Sequence, residues 1–146
     1  ISSILDAVML DISNKISTDK ADIGLTGDGH ILIRVHENAE IDIADIQRIN
    51  EVKNTFAEDK KYTVIFVAPS FGNITNEARE FSASDEVYRN AIAKGIVVKN
   101  LSARLIGSIF IKVSAPPAPT KLLPTESEAG KWLTKMRKDH VVRIII

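Results

Sequence analysis

The chain has 146 residues, 45% of them hydrophobic, with 19 Lys and Arg against 19 Asp and Glu and no cysteine. That length suits one domain around a single core, zero net charge removes the general attraction that draws proteins to nucleic acid, and the missing cysteines exclude disulfides, thiolate metal sites and thiol nucleophiles. No apolar run approaches the ~18 residues of a membrane span and no secretory leader opens the chain, so a cytoplasmic protein without a cofactor is expected, with whatever precedes Ile1 left open.

Residues 1–15 place Ile4, Val8 and Ile12 four apart with Leu5 and Met9 alongside, the stripe of a helix or of a loose arm. An N-terminal helix or arm over 1–20 is therefore set apart from an α/β domain over 21–146. Two apolar segments near 21–26 and 30–36 flank Gly27-Asp28-Gly29, where glycine supplies the positive φ of a tight hairpin. Next, Ile43, Ile46, Ile49, Val52 and Phe56 recur at steps of three and four, a helix with Asp42 as its cap and Asp45 in its first turn.

Residues 62–68 are so uniformly apolar that both faces of the strand should be covered, and Pro69 stops it. Short helices should begin at Thr75 and near Ser84, and residues 95–100 read as a second interior strand. Leu101, Leu105, Ile109 and Val113 are spaced by four and predict a long buried helix, which Pro116, Pro117 and Pro119 bring to an end. Residues 120–123 form a short strand closed by Pro124. Thr125 and Glu128 then supply a capping box for a helix carrying Trp132 and Met136 on one face. Residues 141–146, Val-Val-Arg-Ile-Ile-Ile, are expected to be a last strand that completes the sheet or joins a partner chain, so a homodimer is among the expectations. Strands alternating with helices predict a mixed sheet with an N-terminal antiparallel hairpin, parallel interior strands and flanking helices.

The segments GDGHILI (27–33), ITNEARE (74–80), IVVKNLSARLIGSIFIKV (96–113) and PPAPTKLLPTESEAGKWL (116–133) follow one another in an order that resembles a family of uncharacterised bacterial STAS-like, or SpoIIAA-like, proteins. Val98, Asn100 and Arg104 match its Val-x-Asn-x-x-x-Arg segment. Leu122 or Leu123 stands where an aromatic is commoner, and Gly130 falls inside the last helix. The resemblance implies a compact α/β domain and no known reaction.

The histidines and carboxylates build no catalytic set. His30 and His36 stand about 20 Å apart along one strand and cannot share a metal, so they and His140 are read as surface or strand-end residues. Gly27-Asp28-Gly29 feeds a strand rather than a helix, unlike a phosphate loop. Glu77 and Glu80 flank Arg79 on a short helix, as a solvated face with local ion pairs would. Ser70 lies on the turn after an interior strand, where STAS domains place a regulatory serine or threonine; a phosphate there would add about two charges to a recognition face. Pro69, however, replaces the family's Asp. Asn73, Thr75, Asn100 and Arg104 surround the carboxyl ends of the strands, where open α/β sheets place ligands, although the preferred reading of the last two is structural, with Asn100 as a helix cap and Arg104 as the partner of an acid. A non-enzymatic regulatory or protein-interaction module follows, the alternative being a small apolar ligand or lipid-binding domain with a groove beside the 101–113 helix.

Overall fold

The computed structural model describes residues 9–145. In chain order these form β1 (Ser13–Ser17), β2 (Ala21–Leu25), β3 (Ile31–Val35), β4 (Glu40–Ile41), α1 (Ile43–Ala57), β5 (Tyr62–Val67), β6 (Asn73–Ile74), α2 (Asn76–Ser82), α3 (Asp85–Tyr88), β7 (Ala91–Val97), α4 (Leu101–Ser114), β8 (Thr120–Leu123) and α5 (Glu126–Ile145). The main sheet runs β1-β2-β3-β5-β7-β8. Strands β1, β2 and β3 are antiparallel and β3, β5, β7 and β8 parallel, as the expected mixed sheet requires. Beyond the carboxyl ends, β4 and β6 pair in a small parallel sheet of their own.

Local chemistry explains most of these elements. Gly29, at φ +81°, donates to the Thr26 carbonyl at 3.0 Å and closes the β2–β3 turn. Asp42 and Asp45 exchange hydrogen bonds in a full capping box at the start of α1. Ala115, in the left-handed region, ends α4 one residue before Pro116, and Thr125 Oγ1 accepts from the Glu128 amide at 3.1 Å where α5 begins.

Alternate residues of β5 feed two cores. Tyr62 and Val64 pack with Ile23, Ile31, Ile33, Ile49 and Val52 under α1, and Ile65 and Val67 pack with Leu32, Ala93, Val97, Ala129 and Leu133 under α5. Trp132 and Met136 lie half-buried against this second core. Gly95 lets α5 come close, since a Cβ there would sit 3.3 Å from the Ala129 Cβ.

Polar groups tie α5 to the hairpin. Arg34 forms a two-pronged ion pair with the buried Glu126, Nε to Oε2 at 2.9 Å and Nη2 to Oε1 at 2.6 Å, while the Leu10 amide donates to Oε1 at 3.0 Å and its carbonyl accepts from Arg34 Nη2. His30 is fully buried. Arg137 Nη2 donates to its Nδ1 at 2.8 Å, so the proton sits on Nε2, 3.0 Å from Thr134 Oγ1; burial and the nearby guanidinium push His30 down to about 4 and keep it neutral.

Four expectations change. The helix expected over 1–15 lies partly on residues 1–8, outside the described residues; beyond them Ser13–Ser17 is a strand paired with β2, because Gly24 leaves room for Ile12 to cross it closely. The second interior strand spans 91–97 rather than 95–100, since its neighbour β5 begins pairing at Ala91 and Val98 onward already leads to the α4 cap. Residues 141–145 continue α5 instead of forming a strand: no Gly or Pro interrupts the chain after Gly130, and the β-branched preference against helix is worth only tenths of a kcal/mol per residue. Finally, α4 is a helix as predicted, but none of its residues is buried.

Candidate functional site

The parallel strands direct their carboxyl ends, and the loops that follow, to one edge of the molecule. There the loops after β3 and β5 zip together: Asn38 donates to the Phe71 carbonyl at 2.8 Å, Asn73 to Ala39 at 3.1 Å and Thr75 to Ile41 at 3.0 Å. Beside them the loop after β7 opens α4.

Ser70 is exposed on this edge, yet its surroundings are not those of a phosphate site. The Glu37 carboxylate accepts from the Ser70 amide at 3.0 Å and the Phe71 amide at 3.2 Å. Those two bonds, with Lys99 nearby, hold Glu37 below the usual carboxylate range. A phosphate on Ser70 would thus meet a carboxylate already seated on the amides, and α2 begins only at Asn76.

The other predicted residues are brought to the same edge in structural roles. Thr75 caps α2 by accepting from Ala78, and Asn73 is an exposed residue of β6 opposite Glu40. Asn100 caps α4 through the Ala103 amide at 3.0 Å. Among the described residues Arg104 pairs with no acid; its Nη1 donates to the Val98 and Lys99 carbonyls at 2.7 and 2.8 Å, pinning the first turn of α4 to the end of β7. Arg79, expected in ion pairs with Glu77 and Glu80, stacks over the Phe110 ring at 5.8 Å.

The chemistry of this edge is carried by α4. Its least exposed residues are Arg104, Gly107 and Ile111, spaced three and four apart on the side facing the domain. At Gly107 a Cβ would fall 2.6 Å from a Leu122 methyl, so glycine seats the helix on β8. The apolar stripe therefore points outward: Leu101, Leu105, Ile106, Ile109, Phe110 and Val113 are 45 to 80% exposed. The helix is amphipathic with its polarity reversed relative to the core. Its charges are Arg104, turned to the strand carbonyls, and Lys112 in the last turn.

Sequence reasoning missed Glu37, Phe71 and a pair of buried lysines, Lys53 of α1 and Lys94 of β7. The lysines did leave a signal. Lys53 follows Ile49 by four and precedes Phe56 by three, inside the apolar stripe, and Lys94 interrupts an otherwise apolar strand.

Comparison with known proteins agrees with this architecture. The family described as "Domain of unknown function (DUF7793)" matches residues 24–137. No curated protein matches the chain. Among solved structures, an uncharacterized protein of the DUF3478 family with a SpoIIAA-like fold, from Shewanella loihica PV-4, superposes with a TM-score of 0.60 at 9% identity, covering 81% of this chain and 98% of that one. The fold is SpoIIAA-like, and among the described residues no helix is long and apolar enough to cross a membrane.

Proposed function

We propose, for a chain that belongs to the family of domains of unknown function DUF7793, a non-enzymatic role as a protein-interaction module whose working surface is the outward face of α4, covered by the same face of a second copy. The observation that carries this reading is the reversed helix: six large apolar side chains are exposed on one face of α4, while among the described residues the other exposed large apolar residues are at Met9, Ile16, Phe71 and the end of α5. They present on the order of 600 Å² of apolar surface, at the top of the range for the largest patch on a monomer and near the ~800 Å² each partner gives to a standard interface.

Self-pairing suits the pattern. In an antiparallel two-fold pair centred on residue 107, Leu101 stands opposite Val113 and Leu105 opposite Ile109, so four of the six apolar residues meet an apolar partner, while Ile106 and Phe110 fall opposite Ser108 and Arg104. Lys112 then faces Ser102 rather than another cation, and α4 carries no acidic residue. An apolar face also has no group with which to transfer a proton, which favours docking over chemistry.

Light scattering after size exclusion tests this. At about 100 μM the wild-type chain should elute with twice its own mass. Ile109→Glu, which places a charge in the stripe without touching the domain core, should elute as a monomer with unchanged circular dichroism. A wild-type monomer at that concentration contradicts the reading.

A further inference from the structure

We infer that the chain binds a small organic anion, a short-chain carboxylate, in the cavity between the sheet and α1, α2 and α3, with its charge between Lys53 and Lys94 and its tail under α4. This goes beyond the α4 interface and rests on different residues.

The cavity is ≈ 30 Å³ in volume and is lined by apolar groups such as Ile33, Ile49 and Val64, with Lys53, Lys94 and Asn50 as its polar end. A second cavity of ≈ 110 Å³, walled by Ile96, Phe110, Ile111 and Pro116, adjoins it through Ser82, Tyr88 and Lys94, which line both. By this measure one water needs about 10–15 Å³, so the inner cavity takes roughly two such groups and the outer roughly eight, room for a four- or five-carbon acid.

The polar end is short of an anion. Lys53 and Lys94 are only 3% and 8% exposed, and neither pairs with a carboxylate among the described residues. An ammonium has three N–H donors. Lys53 Nζ gives two, to Tyr62 Oη at 2.7 Å and the Val87 carbonyl at 2.5 Å. Lys94 Nζ reaches only the Ser82 carbonyl, at 3.5 Å, and otherwise lies over the rings of Phe66 at 5.3 Å and Tyr88 at 5.1 Å.

The titratable and charged groups facing the two amines are Tyr62 of β5, Tyr88 of α3 and, at the outer cavity, Arg79 of α2; among the described residues no Asp or Glu lines either cavity. Two buried cations without a counterion have two ways to relax. They can lose protons, as the fall of Lys53 to about 7 and Lys94 to about 8 reflects, or they can take up an anion, which a low-dielectric site strengthens. Binding would then draw protons in and weaken as the pH rises past 8.

Sodium butyrate is a suitable probe, with 1-butanol and sodium chloride at equal concentration as comparisons, read by thermal melting and by amide chemical shifts. At ten times its Kd, butyrate should raise the Tm by about 4–5 °C at pH 6.5, perturb amides around residues 50–53 and 88–94, and do neither at pH 9.5. Lys94→Met, which fills the same space without charge, should fold and lose the response. No response from the wild type at pH 6.5, an equal response to butanol or chloride, or a full butyrate response in Lys94→Met would each overturn the inference.

Discussion

Raising the pH from 7 to 9 is expected to stabilise this protein by about 3 kcal/mol, and replacing Lys94 by Met to stabilise it at pH 7. Both follow from the buried lysines. A lysine in the unfolded chain holds its proton up to about pH 10.5, whereas burial, and for Lys53 also the neighbouring Lys94, brings the folded values down to about 7 and about 8. Between the folded and unfolded values the unfolded state binds more protons, so stability rises with pH, by up to ~1.4 kcal/mol per unit for each group fully within its window. His30 adds nothing over this interval: its folded value near 4 makes its own stabilisation disappear as the pH falls from about 6.5 through 4. Tyr62 and Tyr88, both held above the ordinary tyrosine value mainly by burial, reverse the trend only when the unfolded phenols ionise near 10. Urea unfolding at pH 7, 8 and 9 measures the slope. Lys94→Met should gain about 1–2 kcal/mol at pH 7, because a buried charge without an ionic partner is replaced by an apolar chain of similar length, and the double variant with Lys53→Met should flatten the slope. A wild-type stability that is level from pH 7 to 9 would show these amines to be ordinary solvated lysines.

The largest loss should come from Arg34→Met. Glu126 is almost wholly buried and accepts from two Arg34 nitrogens and from the Leu10 amide, so removing the guanidinium leaves a buried carboxylate with a single backbone donor. Breaking a buried pair from one side costs about 3–5 kcal/mol. The damage should also be regional, since Arg34 Nη2 holds the Leu10 carbonyl: amides of residues 10–17 should lose hydrogen-exchange protection before the central strands. Adding Glu126→Gln should recover part of the loss, because the orphaned charge disappears. An Arg34→Met protein within 1 kcal/mol of wild type, with β1 still protected, would mean the pair is incidental.

What could be read from the chain beforehand was whatever local chemistry decides. The Gly27-Asp28-Gly29 turn, the Asp42 cap, the interior strand ending at Pro69 and the prolines after α4 each depend on residues within a few positions of one another, and each is where it was expected. Orientation was not available in the same way. Periodicity shows that α4 has an apolar stripe but not which side of the helix meets the domain; that is set by Gly107 against Leu122 and by Arg104 on the β7 carbonyls, contacts that need the folded strands. The ending of α5 was misjudged for a related reason: Val141, Val142, Ile144 and Ile145 have strand preferences, but a helix already under way extends more easily than a new edge strand forms. The polar clusters were the hardest to foresee. His30 meets residues 33 and 104 positions away, and Arg34 meets Glu126 across 92. At the strand ends, Ser70, Asn73, Thr75, Asn100 and Arg104 do gather on one edge, while the Glu37 carboxylate that occupies the Ser70 turn comes from the opposite loop.

The outward face of α4 can be examined directly because the chain has no cysteine. Two single-cysteine proteins, Leu105→Cys and Ile109→Cys, should be mixed and oxidised gently, and the three disulfide-linked products counted. Antiparallel pairing about residue 107 predicts that the mixed 105–109 product dominates both symmetric ones. Slow formation of the three in the roughly 1:2:1 ratio of random collision, with the mixed product only about twice each symmetric one, would contradict it.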